Sequence, residues 1–191
     1  MFLIQKPDEA TVTRFLESLA TSKLSYESPG LSSLSPAGFN IDGHRVKIGS
    51  GESLYESAKA AVDTWLMFPP GWVDVRPVGA SSEVGTNVAV LARHLGFWSL
   101  NGCRVVLRLD NAEGLRHGFA YGTLQEHAEC GEEAFLVELD PADDSVWYSI
   151  RAVSKPRAAL ARVGSPVARR LQSRFRKESA DALVRQLSGA G

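Results

Sequence analysis

The alternation of apolar and polar residues between Trp72 and Ser154 limits the fold of this chain more than any other feature. Three segments show the alternation clearly: 103–109, 133–139 and 146–153. Half-buried antiparallel strands produce such a pattern, because one face of their sheet contacts a core while the other faces water. Turn-forming residues follow the first two segments, at 111–114 and 140–144. The sequence therefore predicts a meander of about six strands.

A long amphipathic helix is predicted after the strands, over residues 157–188, with Gly164 separating an early turn (157–163) from the main helix. A sheet with one wet face must bury its other face, and this helix is the only large element left to cover it. We therefore expect an α+β fold with a curved antiparallel sheet of about seven strands around the C-terminal helix. Such an arrangement leaves a space between sheet and helix.

The first part of the chain predicts two shorter helices and one more strand. The predicted elements are a helix at 8–20, a Ser-, Pro- and Gly-rich loop at 25–40, a turn at Asp42–Gly43, a strand at 44–51 and a helix at 52–67. Pro69-Pro70-Gly71 ends the second helix, because proline cannot continue the helical hydrogen bonds. We divide the chain into residues 1–40, a helix and linker, and residues 41–188, a single domain.

Composition excludes several classes of protein. A formal net charge of -1 argues against a general binder of nucleic acid. The two cysteines and four histidines have no metal-ligand spacing, so we expect no metal and no cofactor. No apolar run approaches the roughly 20 residues that span a bilayer, and the start lacks a signal peptide's apolar core. We expect a soluble cytoplasmic protein without stable membrane insertion.

Four separated blocks carry a resemblance to a known family. They are 49–72 (GSGESLYESAKAAVDTWLMFPPGW), 96–105 (GFWSLNGCRV), 119–135 (FAYGTLQEHAECGEEAF) and 153–175 (VSKPRAALARVGSPVARRLQSRF). The segment from about residue 24 to 180 is similar to the family called domain of unknown function 1990. The element order resembles the helix-grip fold of the START and Bet v 1-like superfamily. That resemblance implies a cavity for a small hydrophobic molecule between sheet and helix.

Residues 119–135 crowd aromatic, imidazole and carboxylate groups beside an apolar pattern. Strand parity directs Tyr121 and Glu133 toward the core face, where hydroxyl and carboxyl groups can orient a ligand in an apolar space. The predicted ligand-binding residues are Tyr121, Glu133, Tyr148, His117 and Trp98. The structural alternative is that Glu133 caps the hairpin while the tyrosines bond to backbone groups.

Catalysis has two weak candidates, Glu133 and His127. A carboxylate beside an imidazole can perform acid–base work near neutral pH, although no nucleophile accompanies this pair. The alternative for His127 is a solvated residue in the turn between two strands. Arg169 and Arg176 lie opposite the apolar side of the last helix, which indicates a solvated face or a site for an acidic partner.

Three functions are therefore open. The first is a module that binds or carries a small hydrophobic ligand. The second is an enzyme of cyclase or hydrolase type that uses Glu133 or His127 in the same cavity. The third is an interaction protein whose basic helix face, with Arg169 and Arg176, contacts an acidic partner.

Overall fold

The computed structural model describes residues 1–157 and 165–189 of the 191-residue chain. The strands are β1 (Phe2–Leu3), β2 (Asn40–Ser50), β3 (Val73–Arg76), β4 (Asn87–His94), β5 (Phe97–Arg108), β6 (Arg116–Thr123), β7 (Glu129–Asp140) and β8 (Ser145–Pro156). The helices are α1 (Glu9–Ser18), α2 (Glu52–Asp63) and α3 (Ser165–Ser188). One antiparallel sheet runs in the order β2-β8-β7-β6-β5-β4-β3, and β1 pairs with β5. The predicted sheet and long C-terminal helix are confirmed.

The inner face of the sheet forms the main core with α2 and α3. Inward residues of neighbouring strands, such as Phe119 and Phe135, contact Val62 of α2 and Leu183 of α3 in one buried cluster. Phe119 and Phe135 are directly paired across β6 and β7, with ring centroids 5.5 Å apart. The alternation in the sequence therefore has its physical cause in this core, which only every second strand residue can reach.

Two boundaries differ from the predictions. The second helix ends at Asp63 rather than at residue 67, because Trp65 adopts a left-handed backbone (φ 63°) and donates its indole N–H to Ala80 O at 2.9 Å. The predicted turn at Asp42–Gly43 is wrong, since both residues lie inside β2 and pair with β8. β2 is therefore longer than the 44–51 segment suggested, and it brings Asp42 to the inner face.

The first 40 residues cover the outer face of the sheet. Val12 of α1 packs against Leu91 and Leu100 in a second buried cluster on that side. The buried carboxylate of Glu132 accepts the backbone N–H groups of Gly30 (2.9 Å) and Ser32 (2.7 Å) and so fixes the segment at 25–39 to β7. The division into residues 1–40 and 41–188 stays a prediction.

Helix α3 buries a broader face than its apolar residues predict: Phe175 and Ala182 are buried as expected, together with polar neighbours. Phe175, Arg176, Ser179 and Leu183 are buried, so Arg176 is part of the packed face and not of a solvated one. The expectation for Arg176 is therefore wrong, and its side chain is only 8% exposed. The predicted turn at 157–163 lies outside the described residues. None of the described helices is long and apolar enough to cross a membrane.

Candidate functional site

A cavity of about 180 Å³ lies between the inner face of the sheet and the first half of α3. Its lining reaches His94 and His127, at the end of the sheet that carries the β4–β5 and β6–β7 turns. Its aromatic walls are Phe68, Trp72, Tyr121 and Phe175, and its polar or titratable lining includes His94, Thr123, His127, Glu129, Glu133 and Gln172. An apolar cavity of about 150 Å³ can hold benzene, so this space suits a molecule of roughly one ring.

Tyr121 and Glu133 form the central polar pair of the cavity. They are directly opposite each other on β6 and β7, and the Tyr121 hydroxyl donates to Glu133 Oε2 at 2.5 Å. Burial raises the pKa of Glu133 to about 7, although the Tyr121 hydrogen bond and the charge of Arg176 act to lower it. Burial and the adjacent carboxylate raise the pKa of Tyr121 well above its ordinary value. Both the protonated and the ionised form of Glu133 are therefore populated near neutral pH.

A row of cross-strand neighbours links this pair to α3. Asp42, Ala152 and Glu133 are successive partners across β2, β8 and β7. Arg176 Nη2 lies 3.3 Å from Asp42 Oδ1, while its Nη1 is buried and finds no hydrogen-bond acceptor within residues 1–157 and 165–189. The positive charge of Arg176 also acts on Glu133, the other carboxyl group of this row.

His127 lies in the β6–β7 turn, as predicted, but its side chain lines the cavity and is half-buried rather than solvated. Its Nδ1 accepts the backbone N–H of Glu129 at 2.9 Å. Burial, followed by the positive charges of the amino terminus and Arg157, lowers the pKa of His127 to about 4. The ring is therefore neutral at pH 7, and the hydrogen-bond pattern assigns its proton to Nε2.

Tyr148 and Trp98 lie apart from the cavity lining. Tyr148 faces inward as predicted, but it is fully buried and its hydroxyl bonds to Ser179 Oγ of α3 at 2.8 Å. Trp98 lies on the outer face, where it packs with the α1 cluster and has Lys6 Nζ 5.4 Å from its ring centroid. Helix α3 therefore covers Tyr148, and Trp98 belongs to the opposite face of the sheet.

His117 shares strand parity with Tyr121 but lies four residues along β6, a distance of about 13 Å in an extended strand. There it belongs to a far-end ion cluster made of Asp63, Arg108, Asp110 and His117. Its Nε2 lies 2.8 Å from Asp63 Oδ2 and its Nδ1 lies 3.1 Å from Asp110 Oδ1. Arg108 contacts the same two carboxylates at 2.9 and 3.1 Å. This cluster attaches α2 to the sheet at the end away from the cavity.

Hydrogen bonds stabilise the ionised carboxylates of the far-end ion cluster. Burial alone would raise the pKa of Asp63, but hydrogen bonds from Ser82, Arg108 and His117 bring it below its ordinary value. The pKa of Asp110 is lowered in the same way by Arg108 and the backbone N–H of Gly118. Across the described ranges, no group of three His, Cys, Asp or Glu side chains is placed to hold a metal ion.

Several cavity residues carry signals that sequence reasoning did not use. Glu129 has the same strand parity as Glu133, so alternation along β7 could have placed it inside. Phe68 and Trp72 stand on either side of Pro69-Pro70-Gly71, and that turn directs both rings to the cavity. Nothing in the sequence could have shown that Arg176 contacts Asp42, because the two residues are 134 positions apart in the chain.

Comparison with known proteins decides the family. The family model described as "Domain of unknown function (DUF1990)" matches residues 25–182. The chain belongs to the DUF1990 family. A UPF0548 protein of Deinococcus radiodurans is 35% identical over 97% of this chain and 98% of its own length. The UPF0548 protein At2g17695 of Arabidopsis thaliana is 34% identical over 80% of this chain and 76% of its own.

Solved structures show which fold this DUF1990 chain adopts. A hypothetical protein from Helicobacter pylori aligns with a TM-score of 0.58 over 86% of this chain and 98% of its own, at 12% identity. The Zhui aromatase/cyclase from Streptomyces sp. R1128 aligns with a TM-score of 0.53 over 78% of this chain and 94% of its own, also at 12% identity. The neighbours are Bet v 1-like helix-grip proteins, which confirms the fold class.

Proposed function

We propose that this protein binds a compact, mainly apolar molecule in the cavity, with Tyr121 and Glu133 as its polar contacts. The observation that carries the proposal is a space lined by four aromatic rings in which one hydroxyl–carboxyl pair is accessible. Apolar pockets with a few converging polar groups are the usual form of small-molecule sites. The shared helix-grip fold, which implies a ligand cavity, supports the proposal further.

A matched pair of variants tests this proposal. Ala152→Leu extends a side chain into the cavity beside Glu133, whereas Ala142→Leu makes the same change at an exposed position in the β7–β8 turn. Toluene and benzyl alcohol serve as one-ring probes. The readout is the NMR signal of the Trp72 indole N–H, because Trp72 alone among the four tryptophans lines the described cavity.

The proposal expects both probes to shift the Trp72 signal in the parent protein and in Ala142→Leu. The shift should be lost in Ala152→Leu, which must keep its folded spectrum elsewhere. If neither probe shifts Trp72 at saturating concentration, or if Ala152→Leu responds like the parent, the cavity is not a binding site for such molecules.

Acid–base catalysis in the same cavity is the second candidate. It is favoured by the pKa of Glu133, raised by burial to about 7, since a proton acceptor works best with a pKa near the working pH. His127, neutral with its proton on Nε2, supplies a hydrogen-bond donor and not a base at that pH. The Streptomyces aromatase/cyclase shows that the fold can hold an enzyme.

A small ketone can test for this chemistry without knowledge of the natural substrate. The enzyme hypothesis expects hydrogen–deuterium exchange at the carbon next to the carbonyl, followed by NMR in D2O, to be faster with the parent protein than with Glu133→Gln. Equal rates for both proteins, at probe concentrations where the Trp72 signal is shifted, would argue for binding without proton transfer.

The expectation of an acidic partner at Arg169 stays a prediction.

A further inference from the structure

We infer that the ligand of this cavity is a protonated amine on a compact aromatic or aliphatic body, held between the carboxyl group of Glu133 and the aromatic walls. This inference rests on the proposed function and specifies the charge of the ligand. It is argued from the charges that line the cavity and from the rings around them.

The charged groups in the cavity wall are all acidic. Glu129 and Glu133 line the space, and no lysine or arginine belongs to the described lining. The two lining histidines do not offset this charge, because burial lowers the pKa of both His94 and His127. The carboxylate of Glu132 is turned away and bound by the N–H groups of Gly30 and Ser32. An anionic ligand would therefore meet like charge without a basic partner.

Arg176, whose positive charge acts on Glu133, is not part of the cavity lining. Arg176 is 8% exposed, contacts Asp42 at 3.3 Å, and is absent from the lining. Several groups from the surrounding elements act electrostatically with Glu133: Tyr121 of β6, Arg176 of α3, Glu129 of β7, Asp42 of β2, Cys103 of β5 and Tyr148 of β8. Among these groups only Arg176 is cationic, and its Nη2 already contacts Asp42.

The aromatic walls favour a cation as well as an apolar body. Phe68 and Phe175 have centroids 5.2 Å apart, and Trp72 stands edge-on to Phe175 at 84° and 6.4 Å. Ring faces attract a cation within about 6 Å of the ring centroid. Trp72 is held in place by its indole N–H bond to Glu178 Oε2 and by Arg174 over its ring at 4.6 Å. An ammonium group beside Glu133 would thus have a carboxylate on one side and rings around its carbon body.

Three one-ring probes that differ in a single group test the inference: benzylamine, benzyl alcohol and toluene. We expect benzylamine to bind the full-length protein about ten-fold or more tightly than benzyl alcohol, because hydrogen bonds to charged groups are worth more than neutral ones. Glu133→Gln should remove this preference, so that benzylamine binds this variant no more tightly than benzyl alcohol does. Glu138→Gln, a loss of carboxylate on the outer face of the same strand, should keep the preference.

Proton counting gives a second readout that needs no variant. An ammonium ion favours the ionised form of Glu133, so benzylamine binding at pH 7 should release a proton from part of the population, as calorimetry in buffers of different ionisation heat measures. Equal affinity for benzyl alcohol and benzylamine, or no proton release, would overturn the amine inference while the proposed binding function stands. If no probe binds, the proposed function fails and this inference fails with it.

Discussion

Glu133→Gln removes the titrating group of the cavity while keeping its size, and its effect on the pH dependence of stability follows from the structure. The folded protein holds the pKa of Glu133 at about 7 against an ordinary 4.5, so the folded state binds this proton more tightly than the unfolded chain does. The protonated carboxyl group therefore contributes stability that is complete below pH 4.5. This stability is lost as the pH rises through 7.

The size of this contribution can be worked out. At about 1.4 kcal/mol per pH unit, a change from 4.5 to about 7 corresponds to about 3–4 kcal/mol, an upper value because water entering the cavity screens the charge. Between pH 5 and 8.5 the free energy of unfolding of the parent should fall, relative to that of Glu133→Gln, by an amount approaching this value. Other groups, including His127, titrate in both proteins and cancel in the difference.

Urea unfolding followed by circular dichroism across this pH range measures the effect. Glu138→Gln is the matched control, since it removes a carboxylate from the outer face of the same strand. The reasoning about burial would be refuted if the free energies of Glu133→Gln and the parent stayed parallel across the range. It would also be refuted if Glu138→Gln changed the slope as much as Glu133→Gln does.

Three further substitutions have definite expected outcomes. Tyr121→Phe removes the hydrogen bond that lowers the pKa of Glu133, so NMR titration of the labelled carboxyl carbon should show that pKa rising further; a fall would contradict the assigned hydrogen bond. Asp63→Asn should destabilise the protein by about 1 kcal/mol at neutral pH. Because the pKa of Asp63 is lowered, the difference in free energy of unfolding between Asp63→Asn and the parent should disappear below pH 3.8, as urea unfolding at low pH measures. Glu132→Gln should cost about 1–3 kcal/mol and speed amide exchange in residues 25–39, and unchanged exchange there would count against the buried carboxylate as their attachment.

Strand parity explains both the success and the limits of the sequence-based site. Parity gives the face of each side chain, and Tyr121 and Glu133 do lie together on the inner face. Parity does not give the distance along the strand, and that distance separates His117 from Tyr121 and Glu133. Nor does parity show which helix packs over a side chain. Tyr148 faces inward but meets Ser179 of α3, a contact that depends on where the helix packs.

The wrong predictions for Arg176 and for the turn at Asp42–Gly43 have a common cause in long-range pairing. A helix can bury an arginine when its charge is met by a carboxylate from a distant segment. Arg176 does so with Asp42, which the sequence assigns to a turn because Asp-Gly is typical of turns. Pairing with β8 outweighs that local preference and extends β2 through both residues.

The adjacent residues Glu132 and Glu133 serve opposite faces of one strand, so their chemistry alone does not distinguish them. A slip of β7 by one residue would turn each glutamate to the other face and still present a carboxyl group to each face. The preceding Gly131 prevents this exchange, because a Cβ there would lie 2.0 Å from the backbone oxygen of Val153. The glycine can occupy this close approach to β8, and Cys130 and Glu132, which a one-residue slip in either direction would bring there, cannot. The alignment of this strand is therefore encoded beside the functional carboxyl group, in a residue that has no side chain.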